Sequence, residues 1–175
     1  MKGQTEVRLS GSGGQGLILA GIILAEAALI DGKNSIQTQS YGPEARGGAS
    51  KAEVIISDTE INYPKVRKCD VLLSLTQKSC DEYLDSLKKN GILIIDKDVE
   101  KPERTDVKIF HVPIIEKAVN NIGISMVANI VALGAINGIT KIVSEEALKE
   151  AILKRVPPGT EKVNEKAYEQ GLNII

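Results

Sequence analysis

Glu6-Val-Arg-Leu-Ser-Gly-Ser-Gly-Gly-Gln-Gly-Leu-Ile-Leu-Ala20 is the stretch whose reading decides the fold. Val7 and Leu9 alternate with polar neighbours, as a short strand does, and the chain then enters a run holding Gly11, Gly13, Gly14 and Gly16. An apolar segment from Leu17 to Ile30 follows without a spacer and predicts a helix. Strand, glycine turn and helix in that order make the first half of a βαβ unit. Gly11, Gly13 and Gly16 also fit the G-x-G-x-x-G spacing. That spacing gives a tight turn, a close backbone approach and a helix N-terminus whose partial positive charge faces outward. Such an end suits a phosphate or a carboxylate, from a ligand or from a partner protein.

A dinucleotide site requires one more residue, an Asp or Glu roughly 20 residues on, at the end of the second strand. The predicted second strand, Asn34 to Ser40, ends in Gln39 and Ser40 and then turns through Tyr41-Gly-Pro43. Asp31 precedes it and Glu44 lies beyond the turn, so neither falls where a ribose hydroxyl is read. Three readings of the glycine loop stay open: a nicotinamide or flavin site, a turn that only packs helix on sheet, and an anion or partner site.

The remaining chain reads as further strands, then helices. Ala49–Ser57, Val71–Leu75, Ile92–Ile95 and Lys108–Pro113 are predicted strands, with Pro113 marking an end or an edge. Ser79–Asn90 is predicted as a helix stopped by Asn90-Gly91. From Ile114 the pattern turns helical. Ser125–Ile139 is apolar on nearly all sides, which fits burial in the core or against another chain, and Met126 is assigned to the core. Ser144–Lys154 is amphipathic with an N-cap serine, and Thr160 caps a last helix near Glu161–Gln170. The fold class that follows is α/β, a three-layer Rossmann-like domain over residues 1–175 with a mainly parallel central sheet and a helical C-terminal third.

Composition narrows the function. The net charge of −1 gives no general attraction to nucleic acid or anionic lipid, and 3% aromatic residues leave little for base stacking. No apolar run is long enough to span a membrane, and no signal peptide is visible. Cys69 and Cys80 match no zinc or iron–sulfur spacing and point to a reducing, cytoplasmic setting. His111 sits between Phe110 and Val112 and reads as structural; Asp96 reads as a cap at a strand end. The chain shows no nucleophile elbow, Walker lysine or metal cluster, so no catalytic or metal-ligating residue is assigned. The other unusual segment, Ser40-Tyr-Gly-Pro-Glu-Ala-Arg-Gly-Gly48, places Arg46 and its planar fork of donors between two strands. It is either an anion-binding loop or a glycine-rich crossover with a solvated arginine.

Taken together, Gly11-Ser-Gly-Gly-Gln-Gly16, Ser40–Gly48, Ala52–Ser57, Cys69–Leu75 and the apolar helix around Asn129 resemble the gamma subunit of 2-oxoacid:ferredoxin (acceptor) oxidoreductases over nearly the whole chain. The resemblance implies a complex that oxidatively decarboxylates a 2-oxoacid with CoA to an acyl-CoA and passes electrons to ferredoxin. Alpha, beta and in some cases delta subunits would be its partners. Thiamine pyrophosphate, Mg²⁺ and iron–sulfur clusters would sit on those subunits, and no cofactor on this one. Gly11, Gly13, Gly14, Gln15, Gly16 and Arg46 would face CoA or a subunit junction, with Gln15 and Arg46 donating hydrogen bonds. The Tyr-Gly-Pro-Glu-Ala-Arg form favours 2-oxoglutarate, again by resemblance.

Overall fold

The computed structural model describes residues 3–40 and 49–175. Six strands form one sheet in the order β2-β3-β1-β4-β5-β6. They are β1 (Gln4–Gly11), β2 (Asn34–Gln39), β3 (Ser50–Ser57), β4 (Cys69–Ser74), β5 (Leu87–Asp96) and β6 (Lys108–Val112). The pairs β1–β4, β4–β5 and β5–β6 are parallel, whereas β3 runs antiparallel to both β1 and β2. The βαβ unit expected at the N-terminus is therefore split. β1 and β2 share a direction, but β3 lies between them. The segment 41–48 joins antiparallel neighbours and is no crossover between parallel strands.

Side chains alternate across this sheet with the period of two that strands impose. Val7, Leu9, Val54, Val71, Leu73 and Ile94 point to one face, where they pack with helix α1 (Leu17–Ile30) and the C-terminal helices. Those are α4 (Ala128–Thr140), α5 (Glu145–Arg155) and α6 (Glu161–Leu172). Ile55, Leu72, Leu93 and Ile95 point to the other face, covered by the short helix α2 (Gln77–Tyr83) and irregular chain around Val66 and Val99. The three layers are thus unequal in weight.

Helix α1 spans the residues predicted for it. α5 starts where its serine indicates, with Ser144 Oγ accepting from Ala147 N–H at 3.1 Å. Asp31 adds a second anchor: its carboxylate accepts from Ser144 N–H and Ser144 Oγ, both at 2.6 Å. At α6 the position of Thr160 is right but its work differs. The hydroxyl donates to Pro157 O at 2.6 Å and accepts from Asn164 Nδ2 at 3.1 Å, so it ties down the preceding turn.

The apolar helix α4 is a core element of this chain. Ala128 through Asn137 are all buried, and α6 lies directly on it. Gly134 and Gly171 make that crossing possible. A Cβ on Gly171 would run into Val131 O, and one on Gly134 into Tyr168 O, both backbone atoms that cannot swing aside. No side chain fits between the two helices there.

Two further expectations fail. The helix predicted for Ser79–Asn90 ends at Tyr83, passes through a 3₁₀ turn at Leu84–Ser86 and becomes strand from Leu87. Ser86 Oγ donates to Tyr83 O at 2.5 Å, occupying a carbonyl that a continuing helix would use, and Leu87 pairs with Cys69. Asn90-Gly91 is accordingly a bulge within β5. Between the Cys69–Leu87 and Val71–Ile92 pairings β4 advances two residues and β5 five, with Asn90 at φ 61°. A Cβ at Gly91 would lie 2.8 Å from Lys88 O and 3.0 Å from Asp70 O.

Met126 is the second failure. It is 83% exposed, whereas its neighbour Val127 is buried. The two belong to a 3₁₀ turn, Ser125–Val127, ahead of α4, and the turn sends Val127 inward and Met126 to solvent. Upstream of it, α3 (Ile114–Glu116) runs into a π-helical stretch, Lys117–Ile122, ending at Gly123 with φ 82°.

Replacing Gly171 by Ala should cost about 3 kcal/mol or more, because the clash is with backbone at a fully packed crossing. Replacing Gly123, where a Cβ meets nothing within 4 Å, should cost only the strain of its left-handed conformation, about 1–2 kcal/mol. Denaturant melts of both variants measure the difference.

Candidate functional site

In an open α/β sheet, ligands gather beyond the carboxyl ends of the strands, where successive connections leave on opposite faces. Here that point lies between β1 and β4. α1 leaves β1 toward the helical face, and α2 leaves β4 toward the other. The crevice floor is polar but internally satisfied. Ser10 Oγ donates to Leu73 O at 2.7 Å and lies 3.0 Å from Ser74 Oγ, while Leu75 N–H donates to Ser10 O at 3.0 Å.

Above the floor runs the glycine loop. Ser12, Gly13 and Gly14 are exposed; Gln15 and Gly16 are half-buried; Gly11 is buried at the end of β1. Gln15 folds back, its Oε1 accepting from Ser12 N–H at 2.8 Å. A Cβ at Gly11 would occupy the place of that Oε1, so the residue must be glycine for the fold-back to exist. With its oxygen engaged, Gln15 retains its amide N–H groups as donors, the role the resemblance implies for it. Gly16 is the N-cap of α1 in the left-handed conformation, φ 73°, and has no side chain to cap the helix. No acidic residue stands in the first turn. Within the helix's own first turn nothing compensates the partial positive charge of this end.

Asn129 completes the loop from across the domain. Its Nδ2 donates to Gly16 O at 3.2 Å, and its Oδ1 accepts from Ile130 N–H at 2.9 Å. A Cβ on Gly16 would come within 2.6 Å of that Nδ2. Sequence reasoning gave Asn129 no function of its own. The one available signal was a carboxamide inside an otherwise apolar helix.

Arg46 lies outside the described residues, as does all of Tyr41–Gly48. The chain flanking that segment is placed. Ser50 pairs with Gly11, so one root of the segment stands beside the glycine loop; Gln39 pairs with Ala52, which places the other root one strand further out. Tyr83 OH reaches Ala49 O at 3.4 Å, and beneath it Arg8 and Glu53 form a buried ion pair at 2.8 Å across β1 and β3. Arg8 also donates to Val66 O at 2.9 Å and sits 5.4 Å from the Tyr83 ring centre.

The topology bears on the dinucleotide reading. The neighbour of β1 at loop level is the start of antiparallel β3, Ser50 and Lys51, where a parallel strand would deliver a ribose-binding acid at its end. The other candidates settle into structural duties. Asp96 is fully buried and caps two segments, accepting from Asp98 N–H at 3.1 Å and Ile115 N–H at 2.9 Å. His111 places Nε2 2.9 Å from Lys97 O. Cys69 and Cys80 are buried free thiols, and burial pushes both above the ordinary thiol range, with Arg8 partly opposing it at Cys69. Among the described residues no group of three or more His, Cys, Asp or Glu side chains converges as a metal site, and no helix is long and apolar enough to cross a membrane.

Fold and loop together define a class: a Rossmann-like α/β chain with a glycine-rich turn between its first strand and first helix. Residues 6–174 match the pyruvate ferredoxin/flavodoxin oxidoreductase family, and the chain belongs to that family. Among its relatives is the 2-oxoglutarate synthase subunit KorC of Methanocaldococcus jannaschii, 49% identical across 99% of this chain and 95% of that one. The crystal structure of a keto/oxoacid ferredoxin oxidoreductase gamma subunit from Geobacter sulfurreducens superposes with a TM-score of 0.91 at 49% identity, covering 98% of this chain and 96% of the other. A more distant relative is the ketoisovalerate oxidoreductase subunit VorA of Methanothermobacter thermautotrophicus, 36% identical over 91% of this chain but only 33% of its own length.

Two measurements test the geometry. Gly16→Ala should destabilise by about 2–3 kcal/mol, combining left-handed strain with the collision at Asn129, whereas Gly14→Ala, with open space around its Cβ, should cost about 1–2 kcal/mol. In the Gly16→Ala/Asn129→Ala double variant the contacts with Nδ2 and Cγ are removed and only a 3.3 Å approach to Cβ remains, so most of the steric part should be relieved, which a double-mutant cycle of denaturant melts reads directly. The thiols supply a pH test. A thiol held neutral by the fold has a folded pKa above the unfolded one, so its stabilisation is complete below the ordinary value of 9.0 and is lost as pH rises toward the raised folded values. Between pH 8 and 10 the stability of the native chain should fall, and that of Cys69→Ala/Cys80→Ala should fall less.

Proposed function

We propose that this chain is the gamma subunit of a 2-oxoglutarate:ferredoxin oxidoreductase, converting 2-oxoglutarate and CoA to succinyl-CoA and CO₂ while two electrons pass to ferredoxin. The single observation that carries the reading is the full-length, near-50% identity to a 2-oxoglutarate synthase subunit, against a lower identity to the ketoisovalerate enzyme. In this reading thiamine pyrophosphate, Mg²⁺ and the iron–sulfur clusters reside on alpha, beta and delta-type subunits in the cytoplasm. This chain contributes shape and charge at their junction.

The site's part is binding rather than bond-making. The uncapped start of α1 and the amide of Gln15 present donors toward the strand ends, and Arg46 adds a fixed positive charge from the adjoining segment. Such a set favours the phosphates of CoA, or a carboxylate of a neighbouring subunit, over uncharged groups. It also leaves the choice of 2-oxoacid to residues around the thiamine on other chains.

Assays of the purified complex with 2-oxoglutarate, pyruvate and 2-oxoisovalerate, each with CoA and ferredoxin, should give a kcat/KM for 2-oxoglutarate at least about 100-fold above the others. A preference for pyruvate or the branched acid overturns the substrate assignment. Arg46→Ala in the same complex should raise KM for CoA about tenfold, the worth of one charge-assisted contact, with subunit stoichiometry unchanged. Unaltered CoA kinetics with unaltered assembly removes the loop from the CoA site.

A further inference from the structure

We draw no further inference here: the strongest candidate, the side-chain cluster in which Arg8 and Lys51 lie 5.4 and 5.5 Å from the Tyr83 ring centre and the Tyr83 hydroxyl donates to Ala49 O at 3.4 Å, carries none, because the segment it would position, residues 41–48, lies outside the described residues.

Discussion

The close crossing of α4 and α6 at Gly134 and Gly171 is the constraint on which the rest of the molecule depends. A helix buried on every side cannot keep a polar face in water, so its stability must come from contact with everything around it. α4 reaches the sheet with its aliphatic side chains and reaches α6 with bare backbone. Because the two helices touch without intervening side chains, their relative position is set by hard atoms, and packing transmits that position to what α4 carries. At one end it carries Asn129 to the Gly16 carbonyl; toward the other, Asn137 Oδ1 accepts from Val143 N–H at 3.3 Å. The glycine loop is thus fixed by a contact from a helix more than a hundred residues away, as well as by its own turn.

What the sequence makes legible follows from how local each feature is. The order of β1, loop and α1 is written in adjacent residues and was read correctly to the residue at the helix. The buried strands around Leu72 and Ile94 are short apolar runs that no helix of that length would need. The direction of β3 is a different matter. Its alternation is the same whichever way it runs, and only the pairing of Gly11 with Ser50 reveals the antiparallel insertion. The false helix through Leu84 and Leu87 has the same origin. Those residues satisfy helical spacing, but Leu87 is claimed by Cys69 on the neighbouring strand, and a tertiary pairing outweighs a weak local preference. Met126 was misjudged because hydrophobicity states a preference for burial without stating who provides it.

The candidate site divides along the same line. Glycine spacing announced the loop and its exposed donors, and the absence of a second-strand acid was visible at Gln39 and Ser40. What the string could not show was that Gln15 turns back on Ser12, or that Gly16 is obliged to be glycine twice over, once by φ and once by Asn129. The second obligation exists only after α4 has docked.

The distribution of charge inside the fold separates support from function. Arg8 and Glu53 are buried together; Glu53 is also paired with Lys51 at 3.2 Å and Arg8 also donates to Val66 O at 2.9 Å, so the cluster specifies how β1 sits against β3 without adding much to net stability. Among the described residues, none that lines the groove between Leu19, Ile124, Met126 and Val163 is charged. Between these two regions α1 presents an uncapped positive end. Charge is thus sorted by place: the Arg8–Glu53 pair is enclosed between β1 and β3, pairs such as Lys141–Glu145 and Lys154–Glu150 stay at the surface, and the first turn of α1 has neither a side-chain cap nor an acidic residue.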